Sequence, residues 1–342
     1  MSPRTALIIV GVLLLQLAFI WSYVAAFHRP ASSGVPVAVV VPDALAPQVL
    51  HGLNTLPGTP ISATRSPSLA AAEQDLLDRR VQAIFLPSAT GTTDHLVVQS
   101  ASGPAGAEAM TTVFTRIGDS LHRSLVVTDR APPVKGDEHS LTSFYLVIGW
   151  CVGGYLLASI LGMSFGSRPA NLRRATIRLG CIAVYGVVSG LLGALLVGPV
   201  LHALPDAGSL WWIGALVVFT TGTVSMALQV AFGTLGLGLT ILLFVVLGNS
   251  SAGGPYPWAL LPTFWRDIGP WLPNGVGVDA VRAAAYLGGA SIGRDIAVLL
   301  VTSAVGIAVI YLVVGVARRS LVKLPGDDRA FVDADPEPVA AP

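Results

Sequence analysis

Long stretches without a single charged residue restrict the fold of this chain more than any other feature. Residues 6–27 form the first, behind Arg4; residues 141–165 and 179–201 form the next two. Residues 210–232 contain only Gln229 as a strongly polar member, residues 235–247 make a short run directly after a glycine turn, and residues 296–317 are again uncharged. A helix rises 1.5 Å per residue, so about 20 apolar residues cross the roughly 30 Å of hydrocarbon in a bilayer. Six membrane helices are therefore expected. The composition agrees, with 53% of the 342 residues apolar and 11% charged, against about a quarter charged in soluble domains. The rival for the first run is a signal peptide cleaved near Val24-Ala25-Ala26, but the apolar part of a signal usually covers only about 7 to 15 residues.

Between the first two runs, residues 28–140 carry most of the acids, many prolines and segments of period two. Strands are expected at 35–41, 61–64, 81–86, 95–100 and 125–128. Helices are expected at 46–56, at 68–80 behind a capping-box-like start at Ser68, and at 106–123. Alternation of this kind predicts a mixed sheet in a small open α/β domain. The expected fold class is thus an α-helical polytopic membrane protein of six transmembrane helices with an inserted α/β domain: residues 1–27, 28–140, a five-helix part at 141–317, and a tail at 318–342. The tail is acidic and proline-rich, the composition of a disordered segment.

Catalytic groups do not assemble into any known pattern. His51, Asp75, Asp78, Asp94, His95, His122, Asp137, Glu138 and His139 are scattered. No H-E-x-x-H face and no G-x-S-x-G elbow occurs among them, so they are expected to be solvated polar residues. Cys151 and Cys181 both lie in apolar runs and are expected to be small core residues. Neither an enzyme nor a bound cofactor or metal is expected. The net charge of +1 also lacks the dense basic stripe that nucleic acid requires.

Topology follows from the arginines. Arg4 precedes the first run, Arg168, Arg173, Arg174 and Arg178 lie between the second and third, and Arg318, Arg319 and Lys323 follow the last. With six crossings these clusters fall on one side, which the positive-inside rule makes cytoplasmic. Both termini are then cytoplasmic in the cell membrane, and residues 28–140 and 248–287 are extracytoplasmic. The runs hold no Asp, Glu, Lys or Arg, the groups on which ion-coupled carriers depend. A phosphate loop of the form G-x-x-x-x-G-K-[ST] is also lacking, so any uphill transport needs energy from a partner. Residues 166–178, with Pro169 suited to a first helical turn and Asn171 or Ala170 leading into a basic one, suggest a flat two-turn helix that a partner could push. Arginines there also serve simply to hold topology and meet anionic lipid. Gly149 and Gly153, and Gly186 and Gly190 followed by Gly193, are spaced for close helix contact, within one protomer or between two.

Residues 248–286 are too rich in proline to span a bilayer and too aromatic for a slack linker. Tyr256, Trp258, Trp265 and Trp271 alternate with prolines and glycines, which suits short interfacial helices at headgroup depth. With the basic loop and the inserted domain, the run L-P-T-F-W-R-D-I-G-P-W-L-P-N-G-V-G-V-D-A-V-R resembles the ABC transporter type-2 membrane family, and more narrowly the actinobacterial YhgE/Pip-like permeases. Leu261, Pro262, Phe264, Ile268, Pro270 and Pro273 match that family's L-P-x-(aromatic)-x-x-x-I-x-P-x-x-P pattern, preceded here by Asn249 to Gly254.

The resemblance implies the membrane subunit of an exporter. Two such subunits, identical or similar, would pair with two cytoplasmic ATP-binding-cassette ATPases, and Arg168, Asn171, Arg173, Arg174 and Arg178 would form the coupling loop. The proline motif would form outer re-entrant helices, with Pro262, Phe264, Trp265, Pro270 and Pro273 at an outer gate. The inserted domain is far shorter than that of the larger Pip-like members, so their roles in phage adsorption or secretion scaffolding do not carry over. Few polar residues in the apolar runs favour a hydrophobic or amphipathic cargo such as a drug, lipid or peptide. The alternative is a membrane-anchored interaction or envelope-assembly scaffold whose outer domain binds a partner.

Overall fold

The computed structural model describes residues 3–28, 34–137 and 139–321. Glu138 and the acidic tail beyond residue 321 lie outside the described residues.

The chain begins with helix α1 (Pro3–Phe27) and passes into a sheet unit. This unit comprises β1 (Val35–Val39), α2 (Ala46–Asn54), β2 (Ile61–Arg65), α3 (Leu69–Leu77), β3 (Ala83–Leu86), β4 (Thr93–Val98), α4 (Pro104–Ser120) and β5 (Ser124–Asp129). The strand order is β2-β1-β3-β4-β5. β1 lies parallel to both β2 and β3, with Val37 opposite Ala63 and Ala83, whereas β3 and β4 are antiparallel and β4 and β5 parallel. The mixed sheet expected from the period-two segments is present. β1 reads Val-Pro-Val-Ala-Val because both its faces are covered. Val35, Val37 and Val39 pack with Leu53 of α2 and with Met110 and Phe114 of α4, while Ala38 and Ile84 pack with Ala72 and Leu76 of α3. Phe85 stacks on Phe114 at 4.5 Å between centroids. Ser68 caps α3 by accepting the Ala71 N–H at 3.1 Å; with alanine at that third position nothing returns the bond, so only half of a capping box forms.

The remaining chain forms the bundle: α5 (Thr142–Phe165), α6 (Leu172–Leu195, extended by a π turn at Leu196–Val200), α7 (Ala207–Phe232), α8 (Leu235–Ile241, extended by a π turn at Leu242–Gly248), α9 (Thr263–Ile268), α10 (Pro273–Tyr286) and α11 (Ile292–Leu321). Five helices are long and apolar enough to cross a membrane: those at Ile9–Phe27, Thr142–Phe165, Leu172–Val200, Ala207–Phe232 and Ile292–Val316. The protein is a polytopic helical membrane protein. The sixth expected span is the shorter apolar helix Leu235–Gly248, whose 14 residues reach only about 20 Å at 1.5 Å each.

α7 is the central post, packed by α6, α5 and α11. Glycine makes this closeness attainable. A Cβ at Gly190 would lie 2.5 Å from the Trp211 carbonyl and the Ala215 nitrogen, and one at Gly186 would lie 2.9 Å from the Ala215 carbonyl. The small-residue seam of α6 is therefore filled by α7 of the same chain. Trp150 of α5 wedges between Gly193 and Gly214 and donates its indole N–H to the Ser189 carbonyl at 3.2 Å. Of the two cysteines, Cys151 is buried as expected, but Cys181 is exposed on the bundle surface.

Two ends of the bundle are distinct. Thr176 meets Tyr311, and Leu15 lies beside Gly238, so the start of α1, the α5–α6 and α7–α8 turns and the end of α11 share one end. The sheet unit and residues 248–291 occupy the other.

Candidate functional site

At the arginine end, α5 stops at Gly166, whose φ of +80° suits glycine. Residues 166–171 are not helical. Asn171 then accepts the Arg174 N–H at 2.9 Å and caps α6 directly. The expected separate two-turn lever is therefore the first two turns of a long helix, because the Asn171 cap and the buried Ala175, Arg178 and Leu179 continue straight into the apolar face. Arg178 donates to the carbonyls of Phe165 at 2.7 Å and Gly166 at 2.8 Å. Arg168 donates to those of Val230 at 2.9 Å and Ala231 at 3.1 Å. Both arginines satisfy the orphan carbonyls of helix C-termini. Arg173 and Arg174 are exposed and make no ion pair among the described residues.

At the sheet end, residues 248–286 fold inward. Within the π turn, the Phe244 carbonyl accepts from Asn274 Nδ2 at 3.1 Å; the same amide donates to Asn249 Oδ1 at 2.8 Å. Gly248 is obligatory there, since a Cβ would lie 2.4 Å from Asn274 Oδ1. Ser22 of α1 donates to the Val246 carbonyl at 2.6 Å and meets Ser250 at 2.5 Å, so α1 is a bonded member of the bundle. Pro262 precedes α9 and is exposed, as is Phe264. Trp265 is buried with Ala26 and Leu261 and lies 5.8 Å from the Trp21 ring. Pro270 sits in a 3-10 turn and Pro273 opens α10, where a missing N–H costs nothing. Ten of the fourteen residues of α10 are buried. Its Gly277 approaches Val147 and Val217, five and ten residues inward from the starts of α5 and α7. The segment is a hairpin of short helices whose irregular backbone is sheltered by protein.

No protein-family model matches the chain, and no curated protein or solved structure matches it.

Above the hairpin lies a charged crevice of about 440 Å³ between the sheet unit and α10–α11. Its walls include Arg79 and Arg80 from the turn after α3, Asp279 and Arg282 from α10, and Arg294 from α11. Arg79 has a φ of +60°, a left-handed conformation costly to a side-chain-bearing residue. It donates to the Asp279 carbonyl and to Asp295 Oδ2, both at 2.8 Å, and lies 3.2 Å from Asp279 Oδ2. Burial works against its charge, but the carboxylates of Asp279 and Asp295 outweigh it and raise its pKa further. Arg282 is 2% exposed and donates to the carbonyls of Gly253 at 2.7 Å, Gly254 at 3.0 Å and Ser140 at 3.3 Å; its Nε–H has no partner. Sequence reading missed this crevice, because its parts lie some two hundred positions apart.

The scattered polar residues divide. His51, His95, His122 and His139 are exposed, as expected. Asp75 and Asp78 pair with Arg80. Asp94 and Asp137, expected to be solvated, are both buried. Asp137 caps α5 through Thr142, at 2.9 Å to its N–H and 2.7 Å to its hydroxyl, and accepts the Tyr286 hydroxyl at 2.6 Å. Burial works against the Asp94 carboxylate, yet its bonds from Arg123 and from the Ser88 amide hold its pKa below the ordinary value. The hydroxyls of Thr220, Thr221, Ser225 and Thr240 bond carbonyls three or four residues back in their own helices, Thr220 also meets Ser303 and Gln229 meets Ser159, and the Thr223 hydroxyl has no partner among the described residues.

Proposed function

We propose that the chain is the membrane subunit of an ABC-type exporter, resembling the type-2 and YhgE/Pip-like permeases, that moves a hydrophobic or amphipathic cargo. One observation supports the reading: a proline-bounded hairpin, ending in the buried α10, fills the sheet end of the bundle against α5 and α7; read as re-entrant, it would close that end. In this reading the helix at Leu235–Gly248 completes six crossings. Both termini are cytoplasmic, and residues 28–140 are extracytoplasmic. A separate ATP-binding-cassette ATPase, with a second permease copy, works at the arginine end; the exposed Arg173 and Arg174 receive its stroke, while Arg168 and Arg178 hold the loop in shape.

The test separates these roles. Replacing Arg173 and Arg174 together by alanine leaves insertion and thermal stability unchanged and abolishes recovery of the ATPase with the purified chain. Recovery undiminished in that variant removes the coupling role. Replacing Pro262 and Pro270 by alanine lengthens the hairpin helices, so export is lost before folding; a mere seal would keep export.

A second reading is favoured by a separate feature, a cleft of about 560 Å³ in the sheet unit. It opens beyond the carboxyl ends of β1 and β3, between Leu53 of α2 and Leu121 after α4, where a parallel sheet reverses its winding and ligands commonly bind. A membrane-anchored scaffold would use that cleft for an extracytoplasmic partner and would copurify with no ATPase.

A further inference from the structure

We infer that the crevice between the sheet unit and the hairpin binds the anionic head group of an amphiphile. The charges on its walls do not cancel. Asp78 is committed to Arg80 and to Ser291, at 3.1 Å and 2.7 Å, and Asp279 to Arg79 at 3.2 Å. Arg282 and Arg294 also line the crevice, and neither makes an ion pair among the described residues. Removing a guanidinium from water is costly unless an anion faces it. Arg282 has given up nearly all of its solvent, bonds only carbonyls, and keeps an unpartnered Nε–H. Asp279 and Asp137 act on Arg282 only through space; a phosphate or carboxylate group supplies the directly bonded anion it lacks, and the guanidinium fork matches two oxygens of such a group.

The surroundings point to a tail as well as a head. Trp258 forms part of the wall, and the Arg294 guanidinium lies 5.8 Å from the centre of the Trp271 ring, which is 66% exposed. An exposed indole beside an arginine is a pairing suited to the depth of lipid head groups. The volume of about 440 Å³ falls within the roughly 300–1,000 Å³ of small-molecule sites. It accommodates a head group while the tail follows the apolar hairpin surface at Trp271 and Phe264.

The inference rests on the exporter reading only for its meaning as a cargo site; binding itself needs no ATPase. The full chain in neutral detergent is titrated with dioctanoylphosphatidylglycerol, dioctanoylphosphatidylcholine and inorganic phosphate, and the thermal unfolding midpoint is followed. The expected result is a saturable rise with the anionic lipid, a much weaker response to phosphate, and none to phosphatidylcholine. R294Q weakens the apparent affinity about tenfold, a loss of roughly 1.4 kcal/mol. R80Q removes a charge already paired with Asp75 and Asp78 and changes affinity little. Equal response to both lipids, or equal weakening by R80Q and R294Q, overturns the site in favour of detergent partition or diffuse attraction. Phosphate binding as tightly as the lipid overturns the amphiphile in favour of a free anion. Any of these failures leaves the ATPase recovery test unaffected, so the two readings fail separately.

Discussion

At the scale of single residues, buried charge divides the polar groups into those that hold the fold and those free to act. Asp94 belongs to the first kind: it receives Arg123 through both oxygens, at 2.8 Å and 2.6 Å, and the Ser88 amide at 2.8 Å. Its folded pKa lies below the unfolded value of about 3.9. The stability it contributes is therefore complete above that value and is lost as the pH falls through the folded pKa. Amide exchange in β3 and β4 of the full chain should accelerate as the pH is lowered from about 4 towards 2, after correction for the intrinsic rate. D94N should show faster exchange already at pH 6 and little further acid dependence. At the other end of the molecule, Arg178 is 7% exposed and bonded to two carbonyls, so R178A should lower the unfolding midpoint in detergent. The exposed pair Arg173 and Arg174 should tolerate alanine, and unequal stability of these variants is the measurable difference between a capping and a docking arginine.

Among elements, small residues decide which helices touch. A Cβ at Gly190 would lie 2.5 Å from the backbone of α7, whereas one at Gly149 would meet nothing within 4 Å. G190L should therefore destabilise the bundle by at least about 1–3 kcal/mol, the usual cost of overpacking, while G149L should leave thermal stability unchanged. If G149L instead shifts the chain from dimer to monomer in size-exclusion with light scattering, the free seam on α5 faces a second copy. Gly214 carries a related constraint, since a Cβ there would lie 2.4 Å from the Trp150 ring; G214A should be rescued in part by W150L. The π turn at Leu242–Gly248 belongs to the same scale. Through the bond from Asn274 to its Phe244 carbonyl, it ties the short α8 helix to α10, the kind of local widening that often marks a working part of a helix.

For the whole molecule, the telling contact is Arg79, which reaches from the sheet unit to clamp α10 and α11 through Asp279 and Asp295. R79A leaves the buried Asp295 and the partly buried Asp279 without their cation and should cost about 3–5 kcal/mol in detergent unfolding, with partial recovery when Asp279 and Asp295 are also made asparagine. If unfolding is unchanged, the sheet unit is not held to the bundle by this clamp. The sequence alone sufficed for whatever is written in local periodicity. Five apolar helices were legible because lipid demands uninterrupted hydrophobic length, and strands such as β1 and β3 because burial on both faces leaves a short apolar run bounded by turn residues. The position of the arginine loop and of the proline-aromatic segment was legible for the same reason. What tertiary structure alone decided depends on distance in space between residues far apart in the chain. Asp137 and Asp94 looked like solvated acids until Tyr286 and Arg123 were brought to them, and Arg168 and Arg178 looked like free charges until the ends of α7 and α5 came within reach. The crevice of Arg79, Asp279, Arg282 and Arg294 exists only because the sheet unit folds back over α10, and no local pattern encodes a charge balance assembled across two hundred residues.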